Sequence, residues 1–273
     1  MNREVNEMNL TLFKSSFKSN WLLFVIFLFV LLMYLLIMIS MYDPKGSDAL
    51  NDLYATLPEG LTKAMNLETF GTGLTAFIAS YYYGFLIIVF PMIYCIILGN
   101  RLIAKHVDSG SMAFLLSTPN SRLKIVITQA IYMLLSITIL LILVTVSGIG
   151  FSEIVFKGEL DISAFLLLNL CAILTFWATS SICFFFSCLC NESKNSLAFG
   201  AGIPILFFLI KMLSSVSEKI SWLKNFSLFS LFDAQGILEG EDFTFIACII
   251  LGIITIVFYV SSIFVFNKKD LPL

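Results

Sequence analysis

Charged side chains are scarce in this chain of 273 residues, of which 12% are charged and 59% are hydrophobic. Soluble domains carry about 25% charged residues. Half that density leaves too little polar surface to cover a water-soluble globule, so the composition excludes an ordinary soluble enzyme and indicates a surface that faces lipid. The net charge of −2 and the absence of a long basic run give no indication of nucleic-acid binding.

Residue types that carry catalysis or hold metals are also sparse. The single histidine, His106, stands beside Lys105 and Asp108 without a cluster of acids around it, which is typical of a solvated loop residue. The six cysteines lie in apolar stretches, and Cys188 and Cys190 lack the further ligands of a zinc site. No G-x-x-x-x-G-K-S/T sequence is present. We therefore predict no catalytic residue, no metal site and no bound cofactor in this chain.

Long uncharged stretches replace the missing polar surface. A helix needs about 20 apolar residues to cross the hydrocarbon core, and strands of a membrane barrel would instead alternate apolar with polar residues. The sequence predicts a single all-α transmembrane domain over residues 1–273. Its spans are expected at about 20–42, 76–99, 124–148, 163–189, 196–214 and 243–266. The fifth span is the shortest, and we expect Lys211 to extend from it to the headgroups.

Lysine and arginine set the orientation. If both termini lie on one side, the segments on that side hold ten of the 16 basic residues, and the other segments hold 13 of the 18 acidic residues. Because cytoplasmic loops are enriched in Lys and Arg, we expect both termini in the cytoplasm of a cell whose plasma membrane holds the chain, with a bacterial cell as the expected source.

Three segments near the ends of the spans have patterns of their own. Residues 1–20 contain an amphipathic stretch with Leu10, Phe13 and Phe17 at helical spacing, which predicts an interfacial helix or else the start of the first span. Residues 220–240 are too apolar for a free loop and too interrupted for a seventh span, which favours a re-entrant hairpin at the outer leaflet. The run Tyr81-Tyr82-Tyr83 is expected in the outer aromatic belt.

The cytoplasmic segment 100–124 contains a helix too short to span. Asp108 or Ser109 is placed to cap it near Gly110, and Pro119 is placed to end it, so we expect the helix at about 108–118. Its apolar residues need either the membrane interface or a protein partner. These are Met112, Ala113, Phe114, Leu115 and Leu116.

This order of parts resembles the membrane subunit of a type-2 ATP-binding-cassette (ABC) exporter. The resemblance covers nearly the whole chain and is most specific in the stretches Asp108-Ser109-Gly110, Phe114 to Pro119, and Ser121-Arg122. The family often has Glu at the position of Asp108 and a second acid near Ala113, so the resemblance implies a weaker acidic contact here. The charged ending Lys268-Lys269-Asp270 is also similar to the family's tail.

The resemblance implies a permease without its own ATPase, paired with a second permease chain, either identical or homologous, and with two ATPase subunits that bind ATP and Mg²⁺. The segment from residue 108 to 122 would then be the coupling helix and its rim. The expected ATPase-docking residues are Asp108, Ser109, Gly110, Met112, Phe114, Leu115, Leu116, Pro119 and Arg122. An apolar interior suits an amphipathic, peptide or lipid-like cargo. A stand-alone secondary carrier and a membrane scaffold or sensor remain the alternative functions, although a carrier would need charges deep in the spans.

Overall fold

The computed structural model describes residues 9–43, 56, 60, 62, 73–117, 121–216 and 218–270. Throughout these residues the chain is helical and no strand occurs. A π-helix covers Ala79–Leu86, and 3₁₀ helices cover Glu218–Phe226 and Leu228–Leu231. The α-helices are α1 (Leu10–Met41), α2 (Leu74–Ile78), α3 (Ile87–Leu102), α4 (Ala104–Asp108), α5 (Ser111–Ser117), α6 (Arg122–Val155), α7 (Ile162–Leu189), α8 (Ser193–Val216), α9 (Ala234–Glu239) and α10 (Asp242–Lys268).

Six stretches of the described chain are long and apolar enough to cross a membrane. They are α1, the run Leu74–Asp108 that contains α2 to α4, and the helices α6, α7, α8 and α10. This finding confirms the predicted all-α class and the count of six spans. The fifth stretch, α8, does continue past Lys211 to Val216.

Helix α7 forms the centre of the bundle, because it packs against α3, α6, α8 and α10. Helix α1 packs mainly against α6 and also contacts α3. Small residues let the central helices approach closely: a Cβ placed on Gly99 of α3 would lie 3.0 Å from Cys183 Cβ and 3.3 Å from the Cys183 carbonyl carbon. Such close approach is the usual way in which membrane helices gain packing contacts.

The first span is longer than a bilayer requires. Helix α1 has 32 residues without a break at residue 20, which is about 48 Å at 1.5 Å per residue. The amphipathic stretch is therefore the beginning of one continuous helix within the described residues. Its placement in the membrane interface stays a prediction, and residues 1–8 lie outside the described part.

The second span is distorted where the three tyrosines lie. The π-helix Ala79–Leu86 ends shortly before Pro91, which has no N–H to donate to the carbonyl of Ile87. Tyr81, Tyr82 and Tyr83 are all buried, with at most 3% of each exposed, so the aromatic-belt prediction is wrong. Packing inside the bundle explains the difference: the Tyr82 hydroxyl donates to the carbonyl of Leu31, 3.3 Å away in α1.

The segment after α8 folds back along that helix. The Ser227 hydroxyl donates to the Phe207 carbonyl at 2.6 Å, and Phe207 precedes the end of α8 by nine residues, about 14 Å. The Lys211 ammonium group has partners within its own chain, and its reach to the headgroups stays a prediction. Its Nζ donates to the carbonyl of Phe232 at 3.1 Å and lies 5.8 Å from the centre of the Phe232 ring. The chain that folds back along α8 thus supplies a hydrogen-bond acceptor to the Lys211 ammonium group. That the segment 220–240 is a re-entrant hairpin in the outer leaflet stays a prediction.

The close contact at Gly99 gives a test of the packing. Gly99→Val should destabilise the fold by about 1–3 kcal/mol, because the added methyl groups meet the backbone of Cys183, which cannot rotate away. Gly150→Val is the matched control, since nothing lies within 4 Å of a Cβ at that position. Thermal unfolding of the purified chain in detergent measures both, and equal midpoints for the two variants would contradict the packing described.

Candidate functional site

A tight turn joins the end of the second span to the short helix α5. Gly110 has a φ of 71°, a left-handed conformation that residues with a side chain rarely adopt. The Ser111 hydroxyl donates to the His106 carbonyl at 3.2 Å and lies 2.9 Å from His106 Nδ1. Asp108 is the last residue of α4, and α5 begins at Ser111, one residue after Gly110. Within the described residues, the short helix expected at about 108–118 thus corresponds to α5, and the two residues between α4 and α5 form the turn.

Helix α5 has one buried face and one free face. Met112 is fully buried, and Leu115 and Leu116 are half-buried against the core. Phe114 is 78% exposed, on the same side as the exposed Ser117. Met112 therefore cannot contact an outside partner, which corrects its place in the expected docking set. It anchors α5 to its own chain instead.

Two basic side chains join three helix ends next to α5. Arg122, the first residue of α6, donates from Nη1 to the Lys269 carbonyl at 2.6 Å. Lys269 follows the end of α10, and its Nζ donates to the carbonyls of Cys188 at 3.1 Å and Cys190 at 2.6 Å. These carbonyls belong to the end of α7, where helix geometry leaves them without partners. We call these contacts between Arg122, Lys269 and the end of α7 the helix-end clamp.

The electrostatics of the clamp favour a cation. The C-terminus of a helix carries a partial negative charge, which attracts the ammonium group of Lys269 to the end of α7. Burial lowers the pKa of Lys269 below its usual value. Because the side chain is only half-buried, part of its charge stays in contact with solvent. The clamp thus supplies hydrogen bonds to carbonyls that would otherwise need water.

A polar cavity of 400 Å³ lies on the other side of the turn. It is lined by Asp108 and Ser109 from the turn, by Arg101 and Lys105 from the end of the second span, and by residues at the start of α8. The Asn100 side chain closes this region by donating from Nδ2 to the Ser193 hydroxyl at 2.8 Å. The cavity lies between the end of the second span and the start of the fifth.

The structure brings most of the predicted residues together and adds others. Asp108, Ser109, Gly110 and Phe114 are exposed close together at the start of α5, whereas Arg122 is engaged in the clamp. Pro119 lies outside the described residues. The sequence did not predict the roles of Lys269, Arg101 and Ser193. Of these three, only Lys269 lies in a stretch with a recognisable pattern, the basic tail. Within the described ranges, no group of three or more His, Cys, Asp or Glu is placed to hold a metal ion.

The clamp leads to a stability prediction. Lys269→Met keeps an aliphatic side chain of similar length but removes the donors to Cys188 and Cys190, so the free energy of unfolding should fall by about 1–3 kcal/mol. Lys268→Met is the matched control, because the neighbouring lysine is exposed and makes no hydrogen bond to the described residues. Thermal unfolding in detergent compares the two, and an equal effect of both substitutions would argue against the clamp.

Comparison with known proteins agrees with this architecture. A family model described as an ABC-2 family transporter protein matches residues 13–271, which is nearly the whole chain. No curated protein matches the chain. The matched residues include all six spans from Phe13 onward, helix α5 and the clamp. The chain therefore belongs to the ABC-2 family of ATP-binding-cassette transporter membrane proteins.

Proposed function

We propose that this ABC-2 permease works in an exporter, and that a separate ATPase subunit docks on the free face of α5. The observation that carries the proposal is Phe114. An aromatic side chain that is 78% exposed on a cytoplasmic helix is placed for burial in a partner's groove, where aromatic residues often supply most of the binding energy. Leu115 and Leu116 would line the rim of that contact. ATP and Mg²⁺ would bind to the partner.

The anchoring of α5 supports a mechanical role. Met112 fixes the helix to the core, and the hydrogen bonds between Ser111 and His106 fix its first turn to the second span. Arg122 begins the third span only five residues after α5 ends. A force applied to Phe114 would therefore reach the second span through these contacts and the third span through the short link in the chain.

The helix-end clamp extends the same connection. Arg122 holds Lys269, and Lys269 holds the end of α7, so the third, fourth and sixth spans are joined at the end of the bundle that carries α5. We assign Arg122 a positioning role within the chain in place of the predicted rim contact. Asp108 and Ser109 remain exposed for polar contacts, which set docking geometry more than affinity.

Transport would follow from a difference in binding between two states. Two copies of the permease, or one copy and a homologue, would each carry an ATPase, and ATP would draw the two ATPases together. Because a conformational change is driven only by differential affinity, the ATP-bound pair must hold one arrangement of the coupling helices more tightly than the other. The apolar spans suit an amphipathic, peptide or lipid-like cargo moving outward across a plasma membrane, with both termini in the cytoplasm.

The docking contact can be tested at Phe114. Phe114→Asp should weaken the ATPase complex by about 30-fold or more, the loss expected for an aromatic hot spot, and should abolish ATP-dependent transport. Phe114→Leu keeps an apolar group and should retain most of both activities. Co-purification with the ATPase subunit and transport in proteoliposomes measure the two effects.

Membrane insertion and thermal stability of the Phe114→Asp protein serve as controls, because an exposed side chain should leave both unchanged. Normal binding and transport by this variant would remove Phe114 from the docking site. Transport by the permease alone, driven by an ion gradient, would instead support a stand-alone carrier.

A further inference from the structure

A crevice of 860 Å³ lies between α7, α8, α10 and the segment that follows α8. Its floor is Ile182 and Phe186 of α7, and its roof is the segment that folds back after α8. The volume is within the range of about 300–1,000 Å³ that is typical of small-molecule sites. Residues of α8 and α10 form its walls; these are Ile203, Phe207, Phe243, Ile250, Ile254 and Phe258.

The crevice exists because two spans pack against α7 but hardly against each other. Helices α8 and α10 both contact α7 extensively, while direct contact between them is slight. The hydrogen bond from Ser227 to the Phe207 carbonyl holds the roof over the gap at the outer end. Phe243 and Ile250 of its wall are 48% and 37% exposed, so the gap is open at the apolar surface of the bundle.

One end of the crevice is polar. Lys224, Asp233 and Glu241 line it there, so the formal charge of this end is −1. The Lys224 and Glu241 side chains make no hydrogen bond or ion pair with any other described residue. The Ser230 hydroxyl also lines the crevice, and it is buried without a partner among the described residues. Buried polar atoms without partners are uncommon and indicate an absent ligand or water.

The two carboxylates are neighbours. A Cβ placed on Gly236 would lie 3.0 Å from Glu241 Oε2 and 3.5 Å from Asp233 Oδ2. The other oxygen of Asp233 accepts the backbone N–H of Gln235 at 3.1 Å, which fixes the orientation of this carboxylate. Two adjacent carboxylates accept hydrogen bonds from a primary ammonium group and repel an unpaired phosphate.

We infer that the crevice binds one bilayer phospholipid whose headgroup carries a primary ammonium, as in phosphatidylethanolamine. The ammonium would donate to Asp233 and Glu241, and the phosphate would lie near Lys224. An ester oxygen would accept from Ser230, and the acyl chains would follow the apolar walls past Ile254. The charge of the polar end disfavours an anionic lipid, and a choline headgroup has no N–H to donate. This site does not depend on the proposed coupling to an ATPase.

Bromine atoms on lipid acyl chains quench tryptophan fluorescence at short range, which gives a test. The starting chain has Trp21, Trp177 and Trp222 replaced by Phe, and Ile254→Trp places a single reporter on the wall. Ile253→Trp is the matched control, because Ile253 is the neighbouring residue, does not line the crevice and is 56% exposed on the surface of the bundle. Two vesicle preparations both contain equal amounts of phosphatidylethanolamine and phosphatidylglycerol. In one preparation the phosphatidylethanolamine carries bromine, and in the other the phosphatidylglycerol does.

A preference of about tenfold for phosphatidylethanolamine, the size expected from charge-assisted hydrogen bonds, should make its brominated form the stronger quencher of the Ile254→Trp reporter. At position 253 the two lipids should quench equally. Glu241→Gln with Asp233→Asn should remove the preference at position 254, and Asn retains the cap of α9. If Ile254→Trp does not fold, Phe258→Trp replaces it as an aromatic exchange in the same wall.

Equal quenching by the two lipids at position 254 would overturn the proposal. Stronger quenching by brominated phosphatidylglycerol, or a preference that survives loss of both carboxylates, would do so as well. A second copy of the chain bound to this face would protect position 254 from quenching by both brominated lipids. That result would also contradict a lipid occupant.

Discussion

Hydrocarbon offers no hydrogen-bond partner to a peptide group, and the rest of this structure depends on that constraint. Every backbone donor and acceptor in the membrane must be satisfied by the protein, which favours helices throughout. Polar side chains follow the same rule: the Thr175 hydroxyl donates to the carbonyl of Cys171 one turn earlier in its own helix. Where α7 ends and its carbonyls lose their helical partners, Lys269 supplies donors from another span. The clamp therefore satisfies backbone carbonyls at the place where α7 itself can no longer do so.

Two parts of the bundle differ in how firmly the spans are joined. At the end of the bundle that carries α5, Met112 packs α5 against the core, and Arg122 and Lys269 join the third, fourth and sixth spans. On another side of the bundle, α8 and α10 both pack against α7 but hardly touch each other, and the folded-back segment covers the gap between them. The described spans are therefore tied together at the end near α5 and less closely packed between α8 and α10.

The sequence predicted the features that depend on local composition. Uncharged runs located all six spans, and the turn signals near Gly110 located the short cytoplasmic helix. Features that depend on contacts between residues distant in sequence were not predicted.

The spacing of apolar residues could not distinguish Met112, which is buried, from Phe114, which is exposed, because a seven-residue helix has too few turns to define a face. The sequence predicted an aromatic belt for the tyrosines of the second span because aromatic side chains occur both at membrane interfaces and in buried cores. Lys211 and Lys269 looked like ordinary interfacial cations, since carbonyl partners that lie 21 and 79 or more residues away in sequence leave no local pattern.

We propose that ATP binding by a partner ATPase moves this permease through α5. A spin label at Asn191, exposed in the turn after α7, reports the distance between the two copies in a reconstituted complex of cysteine-free permease and ATPase. Adding ATP and Mg²⁺ should shorten this distance in the otherwise unchanged chain and leave it constant in the Phe114→Asp variant. The absence of any dipolar coupling between copies, or a distance that ATP does not change, would contradict the account.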